Sequence, residues 1–349
     1  MLKYPKLIAD LPSSVPFVGP ESQERSRSTK FKTRIGANEN VFGPSPQVIE
    51  AMRGAAADIW MYGDPENYDL KLALSKHHNV NIDNIVVGEG IDGLLGYLCR
   101  LLVQPGTNVV TSKGAYPTFN YHVKGFGGIL NFVDYNEDFE DIDGLLREAR
   151  KTNAAIIYVA NPDNPMGTWH DKNAIEYLIK NLPARTLLCL DEAYSEFAPA
   201  DQILQFSPIN PKVIRFRTFS KAYGMAGARV GYAIATSSLI KAFDKIRNHF
   251  GVNLIAQQAA LAALRDQRYF KKVLKLVEHS KIEIERIANS LSLKPIPSFA
   301  NFVSIDCGRD EKFARQVLEG LIRENWVPID IAHILDQIGI DIFKLIHKK

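Results

Sequence analysis

Residues 155–167 read Ala155-Ile156-Ile157-Tyr158-Val159-Ala160-Asn161-Pro162-Asp163-Asn164-Pro165-Met166-Gly167. Six uncharged residues, three of them β-branched, run into an Asn-Pro turn signal, which predicts a strand buried on both faces. The same texture recurs at Ile85–Val87, Asn108–Thr111, Thr186–Leu190, Val213–Phe216 and Val230–Ala235. Between these runs lie helical patterns such as Ile91–Leu102, where Leu94, Leu95, Leu98, Leu101 and Leu102 share one face. Apolar strands alternating with helices predict an α/β fold: a large domain whose mainly parallel sheet is sandwiched by helices.

Outward from that repeat the texture changes in both directions. Residues 1–40 read as an N-terminal arm joining a second domain, punctuated by Pro5, Pro12, Pro16 and Pro20, with a polar run from Glu21 to Lys30. The large domain is expected over 41–237. A smaller α+β domain over 238–349 follows, with amphipathic helices at about Leu239–Leu264 and Tyr269–Leu291, a strand at Asn301–Asp306 and a helix at Lys312–Glu324. A chain of 349 residues fits two domains. The net charge, 42 − 39 = +3, is too weak to make nucleic acid or an anionic membrane the main partner. Cys99, Cys189 and Cys307 are far apart and odd in number, which argues against structural disulfides or zinc and for a reducing compartment. No apolar run reaches the roughly 18 residues of a membrane span, and the early prolines break any signal-peptide pattern. A cytoplasmic enzyme without a metal is the expectation.

Gly88-Glu89-Gly90-Ile91-Asp92-Gly93 is a G-x-G-x-x-G between a strand and a helix. A dinucleotide site would also need an acidic residue about 20 positions on, to hold the ribose. Lys113 stands there, and the first acid after the loop is Asp134. What remains is a helix N-terminus whose free N–H groups suit a phosphate. Four further stretches end or open strands: Asn161–Gly167, Asp191-Glu192-Ala193-Tyr194, Thr218-Phe219-Ser220-Lys221, and Arg229. In a parallel sheet the C-terminal strand ends line one crevice, so an amide, a carboxylate, a phenol, a lysine, hydroxyls and an arginine converge there. These are the parts needed to hold pyridoxal phosphate: an amine for its aldehyde, a carboxylate for its ring nitrogen, a phenol and an amide for its ring oxygen, and a cradle for its phosphate.

With those residues in view, the chain resembles the fold-type I pyridoxal-phosphate aminotransferases, and most closely the histidinol-phosphate aminotransferase group. The resemblance runs from Ile35-Gly36-Ala37-Asn38-Glu39-Asn40 and Phe42-Gly43-Pro44 to Asn301-Phe302-Val303, and is most specific in Thr218–Gly224 with Gly227, Arg229 and Gly231. It implies an aspartate-aminotransferase-like fold with a seven-stranded sheet. By resemblance Lys221 joins the cofactor and carries the proton, Asp191 pairs with the ring nitrogen, and Tyr194 and Asn164 meet the ring oxygen. Phe119 would stack on the ring. Backbone N–H groups of Ile91 and Asp92, with Thr218, Ser220 and Arg229, would cradle the phosphate. Tyr62 would reach it from the neighbouring subunit of a homodimer. The implied reaction moves an amino group between histidinol phosphate or an amino acid and a 2-oxo acid such as 2-oxoglutarate, within histidine biosynthesis. Two alternatives are an aromatic amino-acid aminotransferase and a C-terminally altered member that binds cofactor but turns over poorly; a lyase on the same cofactor is a further enzyme class.

Three departures stand out. After Trp326 the text contains no arginine, where the family carries one for the substrate carboxylate, so a defective substrate site is expected. Ile91 and Gly93 replace a small residue and a glutamate, and Gly63 rather than proline follows Tyr62. His77-His78 reads as a solvated helix face.

Overall fold

The computed structural model describes residues 4, 6–9, 19–32, 36–206 and 209–323. The text after Trp326, where an arginine is missing, lies outside them. One turn, α1 (Lys6–Ala9), and α2 (Pro20–Arg27) form the first part of the arm, and α3 (Pro46–Ala55) and α4 (Tyr68–His78) lead into the sheet. The sheet strands and their helices then alternate: β1 (Ile85–Gly88), α5 (Gly90–Leu102), β2 (Asn108–Ser112), α6 (Pro117–Gly125), β3 (Ile129–Val133), α7 (Ile142–Thr152), β4 (Ile156–Ala160), α8 (Lys172–Lys180), β5 (Leu187–Asp191), β6 (Val213–Thr218) and β7 (Gly231–Ile234). Their order is β1-β7-β6-β5-β4-β2-β3, and only β7 runs against its neighbours. The expected seven-stranded, mainly parallel sheet is present.

Strand alternation puts successive residues of β4 into different cores. Ile156, Tyr158 and Ala160 pack with Leu94, Leu98, Phe119 and Phe216 on one face. Ile157 and Val159 pack with Leu145, Leu178 and Leu190 on the other. Burying each aliphatic side chain contributes about 1.5–3 kcal/mol, so a polar substitution on either face would be costly. Asp141 and Asp171 cap α7 and α8 by accepting from Gly144 N and Ala174 N, both at 2.9 Å.

The helix expected over Leu239–Leu264 is two helices, α9 (Ser237–Asp244) and α10 (Leu254–Arg265). The intervening Gly251 and the cap Asn253, which accepts from Ala256 N at 2.9 Å, favour a break over a continuous helix. Both helices join the sheet's cores. Ile240 and Phe243 enter one. The small-residue stripe Ala256, Ala259, Ala260 and Ala263 enters the other beside Val48 of α3. We therefore propose that the large domain extends past residue 237 to include α10. Beyond it stand α11 (Gln267–Ser290), the pair β8 (Lys294–Pro295) and β9 (Ile305–Asp306), and α12 (Glu311–Arg323). Their core holds Ala288, Phe302, Val303 and Ile305, and Tyr194 from the large domain inserts into it.

Candidate active site

Register decides what meets at the sheet's edge. Ala160 pairs with Asp191, Asp191 with Phe216, and Gly231 with both Thr218 and Gly88. The ends of β1, β4, β5 and β6 and the start of β7 therefore lie side by side, as a parallel arrangement requires.

Asp191 is buried at the end of β5. Its Oδ2 accepts from the Tyr158 hydroxyl at 2.8 Å and its Oδ1 from Ala193 N at 3.0 Å. Burial pushes the carboxyl up to about 6 despite those two hydrogen bonds. A carboxyl so deeply buried ionises most readily against a cationic partner. Tyr158 lies within an aliphatic strand, and its polar role was not legible there.

The turn after β6 presents Lys221. Gly224 N donates to Lys221 O at 3.1 Å. Gly224 has φ +68° and sits where a Cβ would strike the Gly43 carbonyl, so the turn is pressed against the Phe42-Gly43-Pro44 segment. The amine donates to Ala37 O at 3.1 Å and Asn38 O at 3.2 Å. It lies 5.5 Å from the centre of the Tyr194 ring. Burial lowers it to about 8, opposed by Asp92 and assisted by Arg229. An amine so placed is a ready nucleophile and base near neutral pH.

The corner at the start of α5 is built from glycine and arginine. Gly90 opens α5 at φ +82°, and a Cβ there would collide with the Arg229 guanidinium. A Cβ at Gly231 would lie 3.0 Å from Ile91 N. Arg229 Nη1 donates to Ala226 O at 3.1 Å and Ser220 Oγ at 3.4 Å. Thr218 Oγ1 donates to Ser220 Oγ at 2.9 Å. Two hydroxyls, a guanidinium and the α5 N-terminus thus share one corner with the right chemistry for a dianion. Asp92 lies 3.8 Å from Arg229 Nη2 and accepts from the Tyr116 hydroxyl at 3.0 Å.

Tyr194 is buried, and its hydroxyl is raised by burial and receives Asn38 Nδ2 at 3.3 Å. Asn164 is half-buried on the loop that follows β4. Phe119 is fully buried, with one ring face stacked on Tyr158 at 4.4 Å and 14°. Tyr62 is elsewhere: it is 79% exposed and stacks on Phe250 at 4.6 Å. Around it Ile59, Trp60, Met61 and Phe250 are also exposed. Gly63 has a local reason, because a Cβ there would lie 2.5 Å from the Gln257 amide that clamps Asp64.

Two further groups were missed. Glu192 accepts from Arg215 Nη2 at 2.6 Å and from Arg217 Nε at 3.0 Å, all three buried behind Asp191 and Thr218. Charge inside a strand otherwise made of Val, Ile, Phe and Thr was the available signal. His78 is not part of a solvated face: its Nε2 lies 2.7 Å from the Tyr232 hydroxyl, its ring packs edge-on to Phe206, and burial lowers it to about 2. Among the described residues no helix is long and apolar enough to cross a membrane.

This fold and this corner of strand ends define an aminotransferase of class I and II, and the chain belongs to that family, which it matches over residues 31–333. It is similar to histidinol-phosphate aminotransferase 2 of Pseudomonas aeruginosa, at 33% identity over 302 residues, or 86% of this chain and 81% of that one. The histidinol-phosphate aminotransferase of Moorella thermoacetica is 32% identical over 86% of this chain and 80% of its own. The crystal structure of histidinol-phosphate aminotransferase from Sinorhizobium meliloti, solved with pyridoxal-5'-phosphate, superposes with a TM-score of 0.92 at 48% identity, covering 98% and 93% of the two chains. An aspartate aminotransferase from Thermus thermophilus shares the fold, with a TM-score of 0.81 at 20% identity over 97% and 94%.

Proposed function

We propose that the protein is a pyridoxal-phosphate-dependent aminotransferase taking histidinol phosphate as amino donor and a 2-oxo acid such as 2-oxoglutarate as acceptor. The observation that carries it is the meeting of the Lys221 amine, the buried Asp191 carboxylate and the Arg229 cradle at one sheet edge. Pyridoxal phosphate, when bound, supplies an aldehyde and an electron-withdrawing ring. Asn38 Oδ1 and Asn301 Oδ1 are buried without partners, as expected of a site built for polar occupants. Lys221 is the group to react with the aldehyde and to move the proton at the donor's Cα. Asp191 would hold the ring nitrogen protonated, Tyr194 and Asn164 would meet the ring oxygen, and Phe119 would be the stacking aromatic. Ile91 N, Asp92 N, Thr218, Ser220 and Arg229 would hold the phosphate.

The relatives' names favour histidinol phosphate over an aromatic amino acid and over a chain that only binds cofactor. The exposed aromatic surface around Tyr62 supports a homodimer, and the buried thiols of Cys99 and Cys189 support a cytoplasmic setting. Borohydride should fix the cofactor on Lys221 and fail to do so in Lys221→Ala. Fixation undiminished in that variant would refute the assignment. Histidinol phosphate with 2-oxoglutarate should then turn over faster than phenylalanine or tyrosine; the reverse order would refute the donor.

A further inference from the structure

Asn38 is a non-glycine residue at φ +52°, in the left-handed region, and only 7% exposed. Asparagine tolerates that conformation better than most side chains, yet such backbone persists where its surroundings over-determine it. Those surroundings are functional groups. The Asn38 carbonyl accepts from Lys221 Nζ at 3.2 Å and from Asn301 Nδ2 at 2.9 Å. The Asn38 amide donates to Tyr194 Oη at 3.3 Å, and the preceding carbonyl, Ala37 O, accepts from Lys221 Nζ at 3.1 Å. Successive carbonyls of an extended chain point to opposite sides. The left-handed turn at Asn38 puts two of them on one amine.

The same segment holds the lysine's main chain, since Asn40 Nδ2 donates to Lys221 O at 3.0 Å and Ala222 O at 3.3 Å. A second feature marks the arrangement as more than packing. Asn38 and Asn301 each commit the amide nitrogen to this contact set and leave the amide oxygen buried without a partner. A buried hydrogen bond left unmade destabilises the fold. A fold selected for stability alone would have turned either amide or replaced it.

We infer that Asn38 is the positioning residue of Lys221: its left-handed turn holds the lysine's free amine on the Ala37 and Asn38 carbonyls, and Asn301 ties that grip to the β8–β9 unit. A lysine on a flexible four-carbon stem forfeits rotamer entropy when fixed, and two acceptors at hydrogen-bond distance offset that loss. The other charged or titratable groups facing the amine are Asp92 from the start of α5, Arg229 before β7, Glu39 of the arm, Asp191 of β5 and Tyr194. Among the described residues, the hydrogen bonds of Nζ go to the two carbonyls. This inference deepens the proposed function and rests on Lys221 as the reacting lysine.

The test labels the full-length protein with trinitrobenzenesulfonate before cofactor is added, and follows modification of Lys221 against pH by peptide mass spectrometry. Carbonyl acceptors favour the charged amine. Asn38→Ala, which strains the left-handed turn, should therefore lower the midpoint by about half a unit, or roughly threefold faster labelling below it. Asn301→Ala should move the profile in the same direction by less. Asn38→Gly, which accepts the turn, should stay near wild type. Wild-type profiles in both alanine variants overturn the inference, as does a glycine variant shifted as far as the alanine one. Should Asn38→Ala fail to fold, Asn301→Ala decides alone. Labelling needs no cofactor, so its outcome is independent of the borohydride result on which the functional assignment stands.

Discussion

Replacing Asp191 by asparagine should make the cofactor-free protein more stable while disabling it. The buried carboxyl is raised from 3.8 to about 6. At 1.36 kcal/mol per unit, ionising it inside the fold costs about 3 kcal/mol at neutral pH. The sign follows from proton counts. Between about pH 4 and 6 the unfolded chain has lost this proton and the folded chain keeps it, so the group's contribution to stability falls as pH rises through that window. The amide introduced by Asp191→Asn never ionises and escapes the cost. It has one acceptor oxygen where the carboxylate offers two, and Tyr158 O–H and Ala193 N–H both need one. Losing one of those hydrogen bonds offsets about 1 kcal/mol of the gain. Chemical denaturation of cofactor-free protein should then show Asp191→Asn more stable than wild type by about 1–3 kcal/mol at pH 7.5, with the difference shrinking towards pH 4. Cofactor retention should fall more than tenfold, because the ring nitrogen loses its counter-ion. A stability difference that does not vary with pH would refute the burial argument.

Other substitutions separate the remaining parts of the site. Gly90→Ala forces a Cβ against Arg229 at φ +82°, and equilibrium dialysis should show cofactor affinity reduced at least tenfold. Glu192→Ala leaves Arg215 buried without its carboxylate and Arg217 with Glu196 alone, and urea denaturation should register a loss of about 3–5 kcal/mol. Trp60→Asp places a charge in the exposed surface around Tyr62, and sedimentation should show monomers with reduced activity.

Six of the seven strands were legible because both of their faces are largely buried, which makes each a mostly apolar run; β3, at the edge of the sheet with Ile129 and Phe132 exposed, gives no such signal and was not read. Pattern failed where one residue type serves two ends. Tyr158 looks like another large core side chain, and only the pairing of β4 with β5 reveals that its hydroxyl meets Asp191. The α10 stripe of alanines carries the same helical period in either domain, and its address depends on what lies opposite. Residues whose chemistry is unusual at a strand end, Asp191, Lys221 and Arg229, could be found by type and position. Asn38 could be quoted from the sequence but not given a task, because its contacts at Lys221, Tyr194 and Asn301 span separations of 183, 156 and 263 residues. Spacing along the chain encodes what a strand or helix brings together. It does not encode which loop is folded back across the strand ends, and that is where the reactive lysine finds its acceptors.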